Sequence, residues 1–308
     1  MNPLAGRNRV EFHSGSEVCA AWHYPGENTA CVIMASGGGV TKEPGTDPFA
    51  VPFSEASFSV VAFDYRHWGE SGGQPRQIVS IKKQLADWRA AIQFSKTLPE
   101  VDPAKLAIWG YSLTAGHCFP VAAQNREVAA AIAHAPLIDG PASTPNAMRC
   151  QTPLAGVRST ALGIADALGG LAGREPLLIP LAAEPGRVAM LTTSDSRDGT
   201  RALKGAQYPE WSQRIAARSA LRIGFYRPVR YAKQVRSPLL LVVHENDQTA
   251  PASLAIRAAE RAPRAETVCL PGTHYGAYLE SHDEAVRIDL DFLTRHLKPV
   301  ATLQVALS

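Results

Sequence analysis

The stretch Leu106-Ala107-Ile108-Trp109-Gly110-Tyr111-Ser112-Leu113-Thr114-Ala115-Gly116-His117 narrows the folds open to this chain more than any other. A short apolar run ends in Gly-x-Ser, and small residues follow at once. That order predicts a strand, a tight turn and the start of a helix. A serine at the tip of such a turn has its hydroxyl held away from the backbone. The helix start behind it offers free N–H groups and a positive dipole end, which suit a developing oxyanion. The usual form of the turn has glycine two residues after the serine. Here position 114 is threonine, whose β-branch takes more room, while Gly116 leaves space for close packing. Most Gly-x-Ser triplets are plain turns, so the rest of the chain has to decide.

The surrounding pattern alternates between strand and helix. Residues 9–13 and 18–24 read as strands joined by Ser14-Gly15-Ser16. Residues 30–35 form a continuous apolar run, as a strand buried on both faces requires, and empty into Ser36-Gly37-Gly38-Gly39. A short helix is predicted over 48–57 and a buried strand over 58–63. The loop Asp64-Tyr65-Arg66-His67-Trp68-Gly69-Glu70-Ser71-Gly72-Gly73 follows. Residues 81–98 have a helical period, and 128–134 are the next strand. After the segment 139–232, sheet character resumes with a strand at 238–244, a helix at 251–261, a strand at 266–270 and a closing helix at 282–297. Strands and helices joined by short links imply a parallel sheet covered on both faces, with ligands at the carboxyl ends of its strands. Both glycine-bearing turns would lie at that edge.

Between 139 and 232 strand runs disappear. The segment is rich in Ala, Leu, Arg and Pro, with helix-like pieces at 154–171 and 211–223. It reads as a helical cap inserted into the sheet domain, because a long disordered loop would expose its leucines and aromatics. The domain division is therefore 1–138 with 233–308 as the core, and 139–232 as the cap. A length of 308 residues accommodates both.

The net charge of +3 is small and no basic block stands out, so neither nucleic acid nor an acidic membrane surface is implied as a partner. No run approaches the ~20 apolar residues of a membrane span, and residues 1–7 carry no apolar segment of signal-peptide length. The 5 cysteines form no Cys-x-x-Cys pair and read as free thiols, which suits the cytoplasm. No metal-ligand spacing occurs, and Gly37-Gly38-Gly39 lacks the lysine of a phosphate loop.

A serine hydroxyl becomes a nucleophile when a histidine takes its proton and an acid holds the imidazole in the right tautomer. Asp247 directly follows the strand at 238–244, and His274 directly follows the strand at 266–270. Serine, acid, histidine, each just after a strand, is the chain order of one particular fold. Asp139, after the strand at 128–134, is a rival acid, and Asp247 also fits a helix N-cap. His117 suits packing beneath the serine turn, and Asp64 with Arg66 suits a loop brace.

On these residues the chain resembles an α/β-hydrolase of the serine-esterase type. Within that superfamily it is similar to a bacterial group of capped hydrolases related to fungal polyketide transferases. Those carry Gly-x-Ser-Phe-Ser-Gly-Gly-His where this chain has Gly110 to His117, and a loop like Asp64 to Gly73. The resemblance implies an α/β fold with a mostly parallel central sheet flanked by helices and an inserted helical cap. It implies Ser112 as nucleophile, His274 as base and Asp247 as acid. The oxyanion hole would use the N–H groups of Leu113 and Gly38, with Ser36 replacing the histidine that relatives carry in His-Gly-x-Gly. Gly39, Tyr65, Trp68 and Tyr275 are candidates for substrate contact, although aromatic side chains fill cores more often than sites.

The reading is a serine hydrolase acting on an ester or similar acyl bond of a small molecule, with no cofactor. An acyltransferase, or a hydrolase of thioesters, lactones or carbon–carbon bonds, would use the same three residues. A non-catalytic binding protein on this fold draws support only from Thr114 and Ser36. A dehalogenase is excluded because it needs aspartate at 112. Caps of this kind often support dimers, so a homodimer is open.

Overall fold

A computed structural model describes residues 6–297 of the chain. Residues 1–5 and 298–308, which include most of the N-terminal stretch read for a signal peptide and the end of the core range, lie outside the described residues.

The chain opens with β1 (Asn8–Ser14) and β2 (Glu17–Tyr24), then β3 (Cys31–Ala35), α1 (Lys42–Glu55), β4 (Ser59–Phe63), α2 (Ile81–Ser95), β5 (Leu106–Tyr111), α3 (Leu113–Gln124) and β6 (Val128–His134). There it leaves the sheet through α4 (Gly140–Arg149), α5 (Pro153–Leu171), β7 (Leu178–Pro180), α6 (Asp198–Ala202), β8 (Arg214–Ala216) and α7 (Arg218–Gly224). It returns with β9 (Leu239–His244), α8 (Ala252–Ala259), β10 (Ala265–Leu270) and α9 (His282–Leu297). Eight strands form one sheet in the order β1-β2-β4-β3-β5-β6-β9-β10. The hairpin β1–β2 is antiparallel and joins β4 antiparallel, whereas β4, β3, β5, β6, β9 and β10 run parallel. β3, β4, β5 and β9 are buried at every residue, as their unbroken apolar runs require.

The structure corrects three local readings. The helix expected at 48–57 begins at Lys42, so its first turn buries a lysine. The segment between β6 and β9 is not purely helical: β7 and β8 pair as a small antiparallel ribbon. The helix expected at 211–223 is split, with β8 in its first half and α7 in its second. Three-residue strands give too few alternations for a period-2 signal to be visible in the sequence. Among the described residues, no helix is long and apolar enough to cross a membrane.

Beneath the serine turn, the core is tied by a polar cluster rather than by apolar contact alone. Asp289 of α9 accepts from Trp109 Nε1 of β5 at 3.0 Å and sits 2.8 Å from His134 Nε2 of β6. All three side chains are fully buried. Removing the carboxylate strands two fully buried donors. We expect Asp289→Ala to lower the unfolding free energy by about 3 kcal/mol, measured by urea denaturation. A loss within error would show that the cluster adds nothing to stability.

Candidate active site

Ser112 joins β5 to α3 with φ 55° and ψ −116°, a left-handed conformation that residues bearing a Cβ rarely adopt. Hydrogen bonds on both sides hold it there. Its N–H donates to the His134 carbonyl at 2.9 Å, and its own carbonyl accepts from Gly116 at 3.1 Å and Leu137 at 3.0 Å. The threonine at 114 fits because Gly110 makes room for it: a Cβ on Gly110 would lie 2.7 Å from Thr114. Gly116 is needed for a different neighbour, since a Cβ there would come within 2.4 Å of the Leu137 carbonyl.

Thr114 also has a task that its place in the motif does not reveal. Its hydroxyl donates to the carbonyl of Ser36 in the loop after β3. The Tyr65 hydroxyl donates to Thr114 in turn at 3.0 Å and accepts from Trp88 Nε1 at 2.7 Å. Ser36 Oγ closes the loop by donating to the Thr41 carbonyl at 2.7 Å. The triple glycine is thus anchored rather than loose. Gly37 lies against Ser112 and Gly38 against Leu113, whose Cδ2 would be 3.1 Å from a Cβ on Gly38. Leu113 is the first residue of α3, so its N–H has no acceptor within the helix.

Three side chains predicted from separate loops meet in one line. His274 Nε2 lies 3.0 Å from Ser112 Oγ, and His274 Nδ1 lies 2.8 Å from Asp247 Oδ2. Asp247 Oδ1 accepts from the Ala250 N–H at 2.6 Å, so both carboxylate oxygens are engaged. Tyr111 donates its hydroxyl to the His274 carbonyl at 2.7 Å. Asp139, the rival acid, instead caps α4 and pairs with Arg227 at 2.8 Å. His117 is buried between Tyr226 and Gln84, and burial lowers its pKa to about 3. Asp64 and Arg66 do not pair with each other. Asp64 holds the buried Lys42 and Arg66 holds Asp87.

A cavity of about 200 Å³ opens beside Ser112. Its floor is Gly38, Ser112, Leu113 and Leu137. Ser143, Thr144 and Ala147 of α4, Ala220 and Ile223 of α7, and Leu181, Met190 and Leu191 form walls and roof. No lining side chain carries a charge. The four residues expected to contact substrate are not in this lining. Tyr65 is buried under α3 by the bonds described above, and Trp68 is buried with its Nε1 on the Ile78 carbonyl. Tyr275 is buried edge-on to His274 and beside Gly199. Gly39 faces the roof: its carbonyl accepts from Trp211 Nε1 at 2.8 Å, and a Cβ on it would strike Leu181.

One residue of the site escaped the sequence reading. Asp195, in a short turn between β7 and α6, reaches across to the loops bearing Asp247 and His274. Its Oδ2 accepts from the N–H groups of Gln248 at 2.7 Å, Thr249 at 3.3 Å and His274 at 3.4 Å. Its Oδ1 accepts from the Thr249 hydroxyl at 2.9 Å. Thr193-Ser194-Asp195 has only the composition of a turn, and nothing local marks a carboxylate that crosses to another domain edge. Burial works against its charge, but His274 and these donors hold it below the usual carboxylate range. For His274 itself, burial lowers the pKa, yet Asp247 and then Asp195 outweigh that and raise it above the ordinary histidine value. Nearby His244 is kept neutral down to about pH 4 by burial.

A family profile described as serine aminopeptidase, S33, matches residues 26–275. The chain is 34% identical over 292 residues to the quorum-quenching protein AidA of Acinetobacter baumannii, covering 93% of this chain and 94% of that one. It is 31% identical over 183 residues to the polyketide transferase ATR5 of Stachybotrys chlorohalonatus, 59% of each chain. Among solved structures it is similar to the α/β-hydrolase GrgF from Penicillium, with a TM-score of 0.80 at 24% identity over 94% of this chain and 99% of that one.

If His274 must be neutral to accept a proton, activity falls as pH drops through its raised pKa. Removing the Asp195 charge removes one of the two influences raising that pKa. Asp195→Asn should therefore move the acid limb of the pH–rate profile to lower pH. It should also reduce kcat on the alkaline plateau roughly tenfold through loosened loops. An unmoved limb, measured with a neutral ester across the acid-to-alkaline range, would refute the electrostatic part.

Proposed function

The chain belongs to the serine aminopeptidase S33 family of α/β-hydrolases, and from that premise we propose that it is a serine hydrolase cleaving esters or related acyl bonds of small, uncharged, apolar acyl groups. The observation that carries this is the line Asp247–His274–Ser112, with contacts of 2.8 and 3.0 Å, ending in a cavity without a charged wall.

In the proposed reaction Ser112 Oγ attacks the acyl carbonyl as its proton passes to His274 Nε2. Asp247 keeps the opposite imidazole nitrogen protonated and stabilises the imidazolium that forms. The tetrahedral oxyanion is received by the N–H groups of Leu113 and Gly38, the first aided by the positive end of α3. His274 then returns the proton to the leaving alcohol, and water repeats the sequence to free Ser112. No step calls for a cofactor.

The cavity argues for a particular acyl class. An aminopeptidase must receive an α-ammonium group, which calls for a carboxylate within reach, and none lines this cavity. A charged acyl chain would likewise lose its hydration with no compensating partner. The segment 139–232 acts as the cap that supplies this apolar wall. Five free cysteines suit a reducing compartment, and we place the enzyme in the cytoplasm. Acyl transfer is the second reading, favoured by the similarity to a polyketide transferase. It needs an alcohol or amine to outcompete water at the same acyl-enzyme.

A fluorophosphonate probe should label Ser112 and fail to label the His274→Ala protein. Ser112→Ala should reduce turnover of neutral short-chain esters by at least ~10⁴-fold. Succinyl and aminoacyl esters should turn over at least ~100-fold more slowly than neutral ones of equal length. Ester turnover that survives Ser112→Ala would sink the assignment, and product analysis with added alcohols separates transfer from hydrolysis.

A further inference from the structure

α5 has two opposed faces. The inner one is buried through Ala155, Gly156, Gly163 and Asp166, with Asp166 holding Arg218 of α7 through its side chain and backbone. The outer face carries Leu154, Val157, Ala161, Ile164, Leu168 and Leu171, all exposed, the large ones between 49% and 87%. A solvated helix face ordinarily carries charges. On α5 the charged residues are Arg158 and the buried Asp166 alone. The exposed apolar positions are spaced 3, 4, 3, 4 and 3 residues apart, the a/d repeat by which one helix packs against another.

We propose that this face is a two-fold interface for a second copy of the chain, with the two α5 helices antiparallel. The stripe is its own complement. Its positions are symmetric about the midpoint of the helix, so in an antiparallel pair Leu154 meets Leu171, Val157 meets Leu168 and Ala161 meets Ile164 of the second copy. A closed two-fold contact requires such self-complementarity. The central layer sets a small side chain against a large one, which suits knobs-into-holes packing. Arg158 lies beside the stripe. At 1.5 Å per residue the two copies' Arg158 residues fall about 13 Å apart along the axis, beyond the ~8 Å over which exposed charges act at physiological salt.

The area fits the same occupant. The six residues of the outer face present roughly 600 Å² of surface, the top of the range ordinary for a monomer, and two such faces would bury on the order of 1,200 Å², the lower end of a standard stable interface. The interface lies on the side of α5 away from α7, so it leaves the cavity free.

Sedimentation of the full chain over a wide concentration range should show a species of twice 33.0 kDa. Val157→Glu with Leu168→Glu should weaken self-association at least ~100-fold while leaving the circular dichroism unchanged, because both side chains are exposed. In a Cys150→Ser, Cys269→Ser background, mixing Leu154→Cys with Leu171→Cys should give a disulfide-linked pair that neither variant gives alone. A wild-type monomer at every concentration would overturn the proposal, and its flotation with phosphatidylcholine vesicles would assign the face to a membrane instead. A dimer that ignores the glutamates, or cysteines that link within each variant but not between them, would overturn it as well.

Discussion

Ser112 occupies a backbone conformation that its own side chain disfavours, and the site depends on that conformation being enforced. The cost of such a residue is on the order of 1–3 kcal/mol. It is offset by the His134 carbonyl, by two N–H donors to the Ser112 carbonyl and by the glycines at 110 and 116, which let α3 and the Leu137 loop close in. The buried Asp289 cluster lies directly behind, joining β5, β6 and α9 under the turn. A strand end fixed on both sides in this way presents a hydroxyl in one place. That fixed position lets a histidine from a distant loop meet it at 3.0 Å.

The histidine is steadied from two directions by different kinds of element. Asp247 comes from the end of β9 and orients the ring. Asp195 comes from the segment inserted between β6 and β9 and gathers the backbone N–H groups of the same two loops. A carboxylate that accepts several buried N–H groups stays ionised despite its burial, so the second acid supplies both geometry and field. The roof is coupled to the base in the same way that it is coupled to the glycine loop, where Trp211 donates to Gly39. Movement of the inserted segment would therefore disturb both His274 and the glycine loop.

The inserted segment has apolar residues on two sides, and the two have separate physical outcomes. Those of α4, α7 and the β7 region that point toward Ser112 make an uncharged cavity, where any charge on a ligand would be stripped of water without a partner. Those on the outside of α5 are exposed among the described residues, and their repeat and symmetry meet what pairing with a second copy would require.

Much of this was legible before any coordinates. The buried strands announce themselves as apolar runs, and Ser112 and Asp247 each follow one while His274 follows the half-exposed edge strand β10, so the order of the chain already places all three at the carboxyl ends of strands. Thr114 and Ser36, read as departures, are instead bonded to each other across two loops, a contact that no spacing rule encodes. The same limit hid Asp195 and misplaced Tyr65, Trp68, Tyr275 and Gly39 as substrate contacts. Periodicity reports which residues are buried, because burial repeats with the backbone; it is silent on what a buried side chain meets. The sequence by itself determined the sheet, the serine turn and the three residues at its edge, since these follow from local pattern and chain order. Only the tertiary structure decided the second carboxylate, the cavity wall and the loop anchors, because each depends on side chains brought together from segments far apart in the chain.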